Sequence, residues 1–184
     1  MSGQAKAIQD QFERLEKKKQ DLFLLISSLT PEIYSQQPSA SSWSVGQAAN
    51  HIYLSERLSF AYLRKKLSYP ETIPTYHPKS WGGILLIKAV FFTHFKWKAP
   101  KAINMWEQQP LLSPDELSQK WTSLRKELIA FISSHEAAYG KHLVYRHPYA
   151  GRMTMQQMLI FFNDHMAHHL HQIKNILRKT NKTV

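Results

Sequence analysis

The amino-acid sequence predicts an all-α fold: a four-helix bundle with one additional shorter helix. Apolar residues recur at intervals of three and four over long stretches, which is the period of an amphipathic helix. Prolines group between these stretches, and the chain has nine prolines but only six glycines. The chain has 184 residues, is 43% hydrophobic and contains no linker-like tract, so we expect residues 1–184 to form a single helical domain.

Capping signals and prolines give the boundaries of the helices. Ser44 is a favourable N-cap, and Gln47 three residues later completes a capping box. Ser113 is followed by a proline and two acidic residues, the pattern of a helix start. A turn is expected at residues 147–151. The five expected helices cover residues 5–29, 44–67, 81–97, 113–132 and 154–177.

The last expected helix carries a pair of histidines that can act together. His165 and His169 are four residues apart, so their rings leave the same helix face one turn apart. On a helical wheel both fall with the apolar residues and should face the bundle interior. By the same construction His168 and His171 should face solvent or a partner. Asp164 also points outward on the wheel, which makes it a poor candidate for a general base.

A third histidine lies in the second long helix. His51 follows the capping box and has the small residues Ala48 and Ser55 beside it, which would leave room for an ion. Three imidazoles with an open position form a catalytic type of metal site. We therefore expect a metal site at His51, His165 and His169, provided that the fold brings the helices together. The alternative is that each is an ordinary buried histidine with one hydrogen-bond partner.

The other histidines are expected in surface or turn positions. They are His77, His94, His135, His142 and His147.

Composition and charge exclude several functions. The chain has no cysteine, which rules out disulfides, cysteine-ligated zinc and a thiol nucleophile of its own. The formal net charge is +11, but the lysines are spread along the whole chain, so a solvated basic surface is favoured over a nucleic-acid partner. The N-terminal residues lack an apolar signal core, and no apolar run is long enough to span a bilayer. We expect a cytoplasmic protein without a membrane partner, and interpret the aromatic and basic stretch FFTHFKWKAPKAINMW as a helix packed on the bundle.

Two stretches resemble a known family. WSVGQAANHIYLSE (43–56) resembles the second helix of the DinB/YfiT-like superfamily of bacterial metal-binding four-helix bundles, and HPYAGRMTMQQMLIFFNDHMAHHLHQI (147–173) resembles its His-Pro turn and last helix. The resemblance implies that His51, His165 and His169 hold a divalent transition ion. Zinc or nickel is expected first, with manganese or iron as alternatives. The resemblance also implies a homodimer.

The function implied by the resemblance is a metal-dependent enzyme acting on a small-molecule substrate. Some members resemble S-transferases that use low-molecular-weight thiols such as bacillithiol or mycothiol, and others are described as metal-dependent hydrolases. Because no acidic residue is clearly placed beside the site, activation of a thiol cosubstrate is favoured over a hydrolase using metal-bound water. The remaining alternative is a non-enzymatic module that binds a metal or an apolar ligand, in which Gln172 or a distant histidine would complete the coordination. No catalytic residue beyond the metal ligands is assigned.

Overall fold

The structure, a computed structural model, describes residues 3–92 and 110–180 and confirms the all-α four-helix bundle. Its α-helices are α1 (Gly3–Ile26), α2 (Pro31–Ser35), α3 (Val45–Leu67), α4 (Ser80–Phe92), α5 (Pro114–Tyr139) and α6 (Met155–Thr180). They are joined by a 3₁₀ turn (Pro70–Thr72) and by the strands β1 (Tyr145–His147) and β2 (Gly151–Met153). None of the helices in these described ranges is both long and apolar enough to cross a membrane.

The four long helices α1, α3, α5 and α6 have neighbours in space that differ from their order in the chain. α1 packs against α5 and α6, and α3 packs against the same two helices. α1 and α3, which follow each other in sequence, therefore lie at opposite corners of the bundle. The short helix α2 lies on the connection between them, where the buried Tyr34 donates a hydrogen bond from its hydroxyl to the carbonyl of Leu112 at 3.1 Å.

Helix starts agree with the expected positions more closely than helix ends. Ser44 and Ser113 both form complete capping boxes, with Gln47 and Glu116. α1 ends at Ile26 rather than at residue 29, because Thr30 instead caps α2 through a hydrogen bond from the Ile33 amide. α5 and α6 both continue beyond their expected ends, to Tyr139 and Thr180, and residues 93–97 of the expected third helix lie outside the described residues.

The expected turn at residues 147–151 is confirmed, but the sequence did not predict the two strands that flank it. β1 and β2 pair antiparallel, with Tyr145 opposite Met153. Gly151 has a φ of 75°, a left-handed conformation that glycine adopts without strain. His147 closes the turn, because its Nδ1 accepts hydrogen bonds from the backbone amides of Tyr149 at 3.2 Å and Ala150 at 3.1 Å.

Helix α4 is held against α6 and the hairpin. Gln157 of α6 donates to the hydroxyl of the buried Ser80 at 3.1 Å, and Lys88 pairs with Asp164 of α6 at 2.8 Å. A Cβ at Gly83 would lie only 1.9 Å from the carbonyl oxygen of Ala150, so only glycine permits this close approach. α4 is therefore fixed over one side of α6.

One guanidinium group links all four long helices. Arg125 on α5 is 1% exposed and donates from Nε and Nη2 to the carboxylate of Glu56 on α3 at 2.7 and 2.8 Å. Its Nη1 donates to Glu16 of α1 at 2.9 Å, and its Nη2 lies 3.6 Å from the sulfur of Met166 on α6. Glu56 also accepts from the indole of Trp121 at 2.8 Å. Since a buried charge is costly without partners, this cluster penalises other helix arrangements.

Replacing Glu56 with glutamine should destabilise the protein, because it leaves Arg125 buried without its bidentate anionic partner. We expect Glu56→Gln to lower the free energy of unfolding by about 3 kcal/mol in urea denaturation followed by circular dichroism. The matched control is Glu127→Gln on the exposed side of α5, which should change it by less than about 0.5 kcal/mol. Equal effects of the two substitutions would contradict the role given to the buried cluster.

The hairpin histidine should make stability depend on pH. Burial lowers the pKa of His147 to about 4, against 6.5 for an ordinary histidine. The unfolded chain therefore takes up a proton at His147 that the folded protein excludes, and the free energy of unfolding should fall as the pH drops from 6.5 towards 4. His165 and His169, whose pKa values burial also lowers, contribute in the same direction.

The contribution of His147 can be isolated with His147→Asn, because the Asn oxygen can still accept the amide hydrogen bonds of the turn. Between about pH 7.5 and pH 5, the free energy of unfolding of the wild type should fall by on the order of 1–2 kcal/mol more than that of the variant. The full pKa shift is not recovered as stability, because solvent screens part of it. Urea titrations at the two pH values measure this difference. Identical pH dependence of the two proteins would show that His147 titrates normally in the folded state.

Candidate metal centre

Three imidazoles meet between α3 and α6. α6 presents His165 and His169 on one face, and their Nε2 atoms lie 3.0 Å apart. α3 packs beside α6 and brings the Nε2 of His51 to within 3.2 Å of the Nε2 of His165. One ligand atom from each residue lies within 4.8 Å of the other two. The structure thus brings together all three histidines that the sequence singled out.

Burial prepares these rings for coordination. His165 and His169 are each 7% exposed, and His51 is half-buried. Burial is the main cause that lowers the pKa of both His165 and His169 well below 6.5, and the neighbouring histidines lower the pKa of each further. Both rings are therefore neutral near pH 7, which is the form that binds metals.

The spacing of the nitrogen atoms suits a small divalent ion. A tetrahedral site with metal–nitrogen bonds of 2.0–2.1 Å requires its ligand nitrogens to lie about 3.3 Å apart. The two Nε2 separations of 3.0 and 3.2 Å are close to this value. The donor set also fits, since imidazole nitrogen is a preferred ligand of zinc, nickel and iron. The Nδ1 of His165 is not part of this fit: it is buried, and within the described residues it has no hydrogen-bond partner.

Gln172 orients one of the rings. Its Oε1 lies 2.7 Å from the Nδ1 of His169 and accepts the proton of that nitrogen. This hydrogen bond leaves the Nε2 of His169 as the lone-pair donor, directed at His165 and His51. Gln172 is therefore a support for a ligand rather than a fourth ligand. No other histidine or acidic side chain joins the three within the part of the chain that the structure describes.

Aromatic side chains enclose the three imidazoles. The half-buried Trp43 lies with its ring 4.8 Å from His51 and stacks on His169 at 5.9 Å. On another side Phe161 stacks on His165 at 5.4 Å, and Phe91 of α4 lies 5.9 Å from the same ring. No role was expected for Trp43 from the sequence, although its place immediately before the α3 capping box was a signal that it would lie near His51. The contact of Phe91 depends on how α4 docks and had no local signal.

The residues expected to point away from the interior behave differently from one another. His171 is exposed, as expected. His168 is half-buried and stacks on Phe91 at 5.0 Å, so it faces α4 and not open solvent. Asp164 lies on the side of α6 that α4 covers, so it is half-buried and pairs with Lys88 instead of facing open solvent. Its carboxylate is engaged in an ion pair rather than directed at the histidines.

The remaining histidines lie in the surface or turn positions expected of them, as far as the structure describes them. His77 is exposed, and His135 stacks on Phe131 at 4.1 Å on α5. His142 follows the end of α5, where it forms an isolated bridge with Thr75. His147 has the turn role described above, and His94 lies outside the described residues.

Comparison with known proteins gives a structural likeness and a family. YfiT from Bacillus subtilis, described as "a probable metal-dependent hydrolase with an unusual four-helix bundle topology", is similar in structure, with a TM-score of 0.65. The two share 15% sequence identity over 95% of this chain and 87% of that chain, so the likeness is one of fold. No curated protein matches this chain. The sequence model of the DinB superfamily matches residues 14–173, a range that contains all three histidines, and the chain therefore belongs to the DinB superfamily.

Proposed function

We propose that this protein is a metal-dependent enzyme that activates a low-molecular-weight thiol for S-transfer to a small electrophilic substrate. His51, His165 and His169 are the proposed ligands of a divalent transition ion, with zinc or nickel as the first candidates. The observation that carries the proposal is the convergence of three Nε2 atoms in a buried site that lacks a fourth histidine or acidic ligand within the described residues. Such a set resembles catalytic sites, which keep one position for a substrate, and not structural sites, which are closed.

The chain's own residues would set the properties of the site. Three neutral imidazoles leave the charge of a dication uncompensated, and the surrounding aromatic rings exclude water, which strengthens that charge. A divalent ion bound there would supply Lewis-acid chemistry, lowering the pKa of a thiol or a water molecule at its remaining position. Gln172 would hold His169 in the tautomer needed for coordination.

The surroundings of the three histidines favour a thiol over water as the nucleophile. In S-transfer the sulfur forms a bond to an electrophilic carbon, the bond from that carbon to its leaving group breaks, and the thiol proton passes to solvent. This sequence needs no carboxylate base beside the metal. Asp164, the acidic residue next to His165 in the chain, is held in an ion pair with Lys88. The chain has no cysteine, so the thiol would come from a cosubstrate.

A metal-dependent hydrolase is the second candidate. It is supported by the description of YfiT as a probable metal-dependent hydrolase, together with the shared fold. A hydrolase benefits from a base that removes a proton from water, and Asp164 could serve only if its ion pair with Lys88 opened.

A non-enzymatic metal-binding module is supported less, because Gln172 is engaged with His169 and does not close the coordination. We further propose that the enzyme is cytoplasmic, as expected from the sequence, and that it forms a homodimer, as the family resemblance implies.

Metal binding should depend on the three converging histidines, and the remaining histidines of α6 should not contribute to it. We expect about one transition-metal ion per chain in protein reconstituted with zinc or nickel and then desalted, measured by elemental analysis. His51→Ala, His165→Ala and His169→Ala should each remove most of this metal. His168→Ala and His171→Ala are matched controls on the same helix, and should retain it. Equal loss in the controls would show that the metal is bound elsewhere.

The reaction class can be tested with the metal-loaded protein and model substrates. With monobromobimane as the electrophile and bacillithiol or N-acetylcysteine as the thiol, we expect thiol conjugation above the uncatalysed rate. His169→Ala should lower this activity by at least about tenfold, while His171→Ala should not. Hydrolysis of p-nitrophenyl acetate without any thiol, lost in His169→Ala, would instead support the hydrolase. Metal binding without either activity would support the non-enzymatic module.

A further inference from the structure

Helix α4 carries an apolar surface on the side away from the bundle. Its inner side is formed by Ile84 and Ile87, which are 2% and 6% exposed. On the other side Trp81, Leu85 and Leu86 are 40%, 63% and 50% exposed. Large apolar side chains exposed together on one helix are uncommon unless that face meets a partner. We call these three residues the outer face of α4.

The described segment that carries this outer face is basic. From residue 72 to residue 92 the sequence contains no Asp or Glu, and its charged residues are the exposed Lys79 and Lys88, which pairs with Asp164. The hairpin packed against α4 adds two exposed arginines, Arg146 and Arg152, directly opposite each other across the two strands. Like charges in this position repel, and a nearby anion would relieve the repulsion. The partner indicated by these charges is therefore anionic.

The aromatic residues at the edge of the outer face are amphipathic. The indole nitrogen of Trp81 donates to the hydroxyl of Tyr76 at 3.1 Å, and Tyr76 is itself 40% exposed. Both side chains thus present an apolar ring together with a polar group. Trp and Tyr are enriched at membrane–water interfaces, because that layer accommodates both parts of the side chain.

We propose that the outer face of α4 docks the protein peripherally on an anionic lipid bilayer. Leu85 and Leu86 would enter the boundary of the acyl chains, Trp81 would lie at the level of the headgroups, and the basic side chains would contact lipid phosphates. This interfacial contact departs from the sequence-based expectation of no membrane partner, and it requires no spanning helix. Because α4 also places Phe91 against His165, docking would bring the three histidines close to the bilayer.

Co-sedimentation of the full-length protein with lipid vesicles tests the docking surface. Vesicles of phosphatidylglycerol and phosphatidylcholine should bind the protein, and vesicles of phosphatidylcholine alone should not. Leu85→Glu should lower the partition coefficient on the anionic vesicles about tenfold, because it places a negative charge in the apolar contact. The matched control is Leu24→Glu on α1, where the leucine is 77% exposed and lies on a different helix. Circular dichroism shows whether both variants keep the helical fold.

The absence of cysteine allows a second, site-specific measurement. Leu85→Cys and Leu24→Cys each provide one thiol for an environment-sensitive fluorophore. On anionic vesicles the emission of the label at position 85 should shift to shorter wavelength, and that of the label at position 24 should not.

Three results would overturn the proposal. They are a lack of binding to anionic vesicles, equal losses in Leu85→Glu and Leu24→Glu, and equal emission shifts at the two labelled positions. A wild-type dimer that Leu85→Glu converts to a monomer, without vesicle binding by either protein, would assign the outer face of α4 to a second copy of the chain instead.

Discussion

The buried guanidinium of Arg125 is the constraint on which the arrangement of the bundle depends. It contacts Glu16, Glu56 and Met166, so that one charged group touches all four long helices. An ion pair of this kind adds little net stability compared with apolar packing, but it makes any arrangement that separates the partners expensive. Glu56 lies on the same helix as His51, and Met166 is next to His165 in the chain. The contacts that compensate the buried charge therefore also hold α3 and α6 in the positions that bring their histidines together.

That arrangement creates a site whose electrostatics suit a cation. Burial keeps the His165 and His169 rings neutral by lowering their pKa values, and the hydrogen bond from His169 to Gln172 directs the lone pair of the other nitrogen inward. The Nε2 atom of His165 lies 3.0 Å from that of His169 and 3.2 Å from that of His51. A metal ion that accepts a lone pair from each nitrogen fits this arrangement best. α4 closes one side of this site through Phe91, while its outer face remains apolar. One helix thus participates in both the enclosure of the histidines and the proposed contact with a bilayer.

The sequence determined the features that depend on neighbouring residues. A capping box requires only a side chain and the backbone three residues away, and those at Ser44 and Ser113 form as expected. Helical periodicity placed His165 and His169 on the buried face, because the angle between residues of a helix is fixed. The fold class and the paired candidate ligands His165 and His169 could be predicted in this way, whereas the family was indicated by the resemblance of residues 43–56 and 147–173. Helix ends were less predictable, since α5 extends past its expected end to Tyr139 without a local stop signal before it.

Only the tertiary structure decided which distant residues meet. No local pattern specifies that α3 packs beside α6, and it is this packing that brings His51 to the pair. The helical wheel showed only that Asp164 points outward, because a wheel contains no neighbouring helix; it could not show that α4 covers this residue and supplies Lys88. The short strands of the hairpin escaped prediction because three residues are too few to establish an alternating pattern. Helical periodicity and capping depend on interactions between residues a few positions apart. The diagonal placement of α1 and α3, in contrast, depends on the hydrophobic core that all four long helices share and on the buried charge of Arg125.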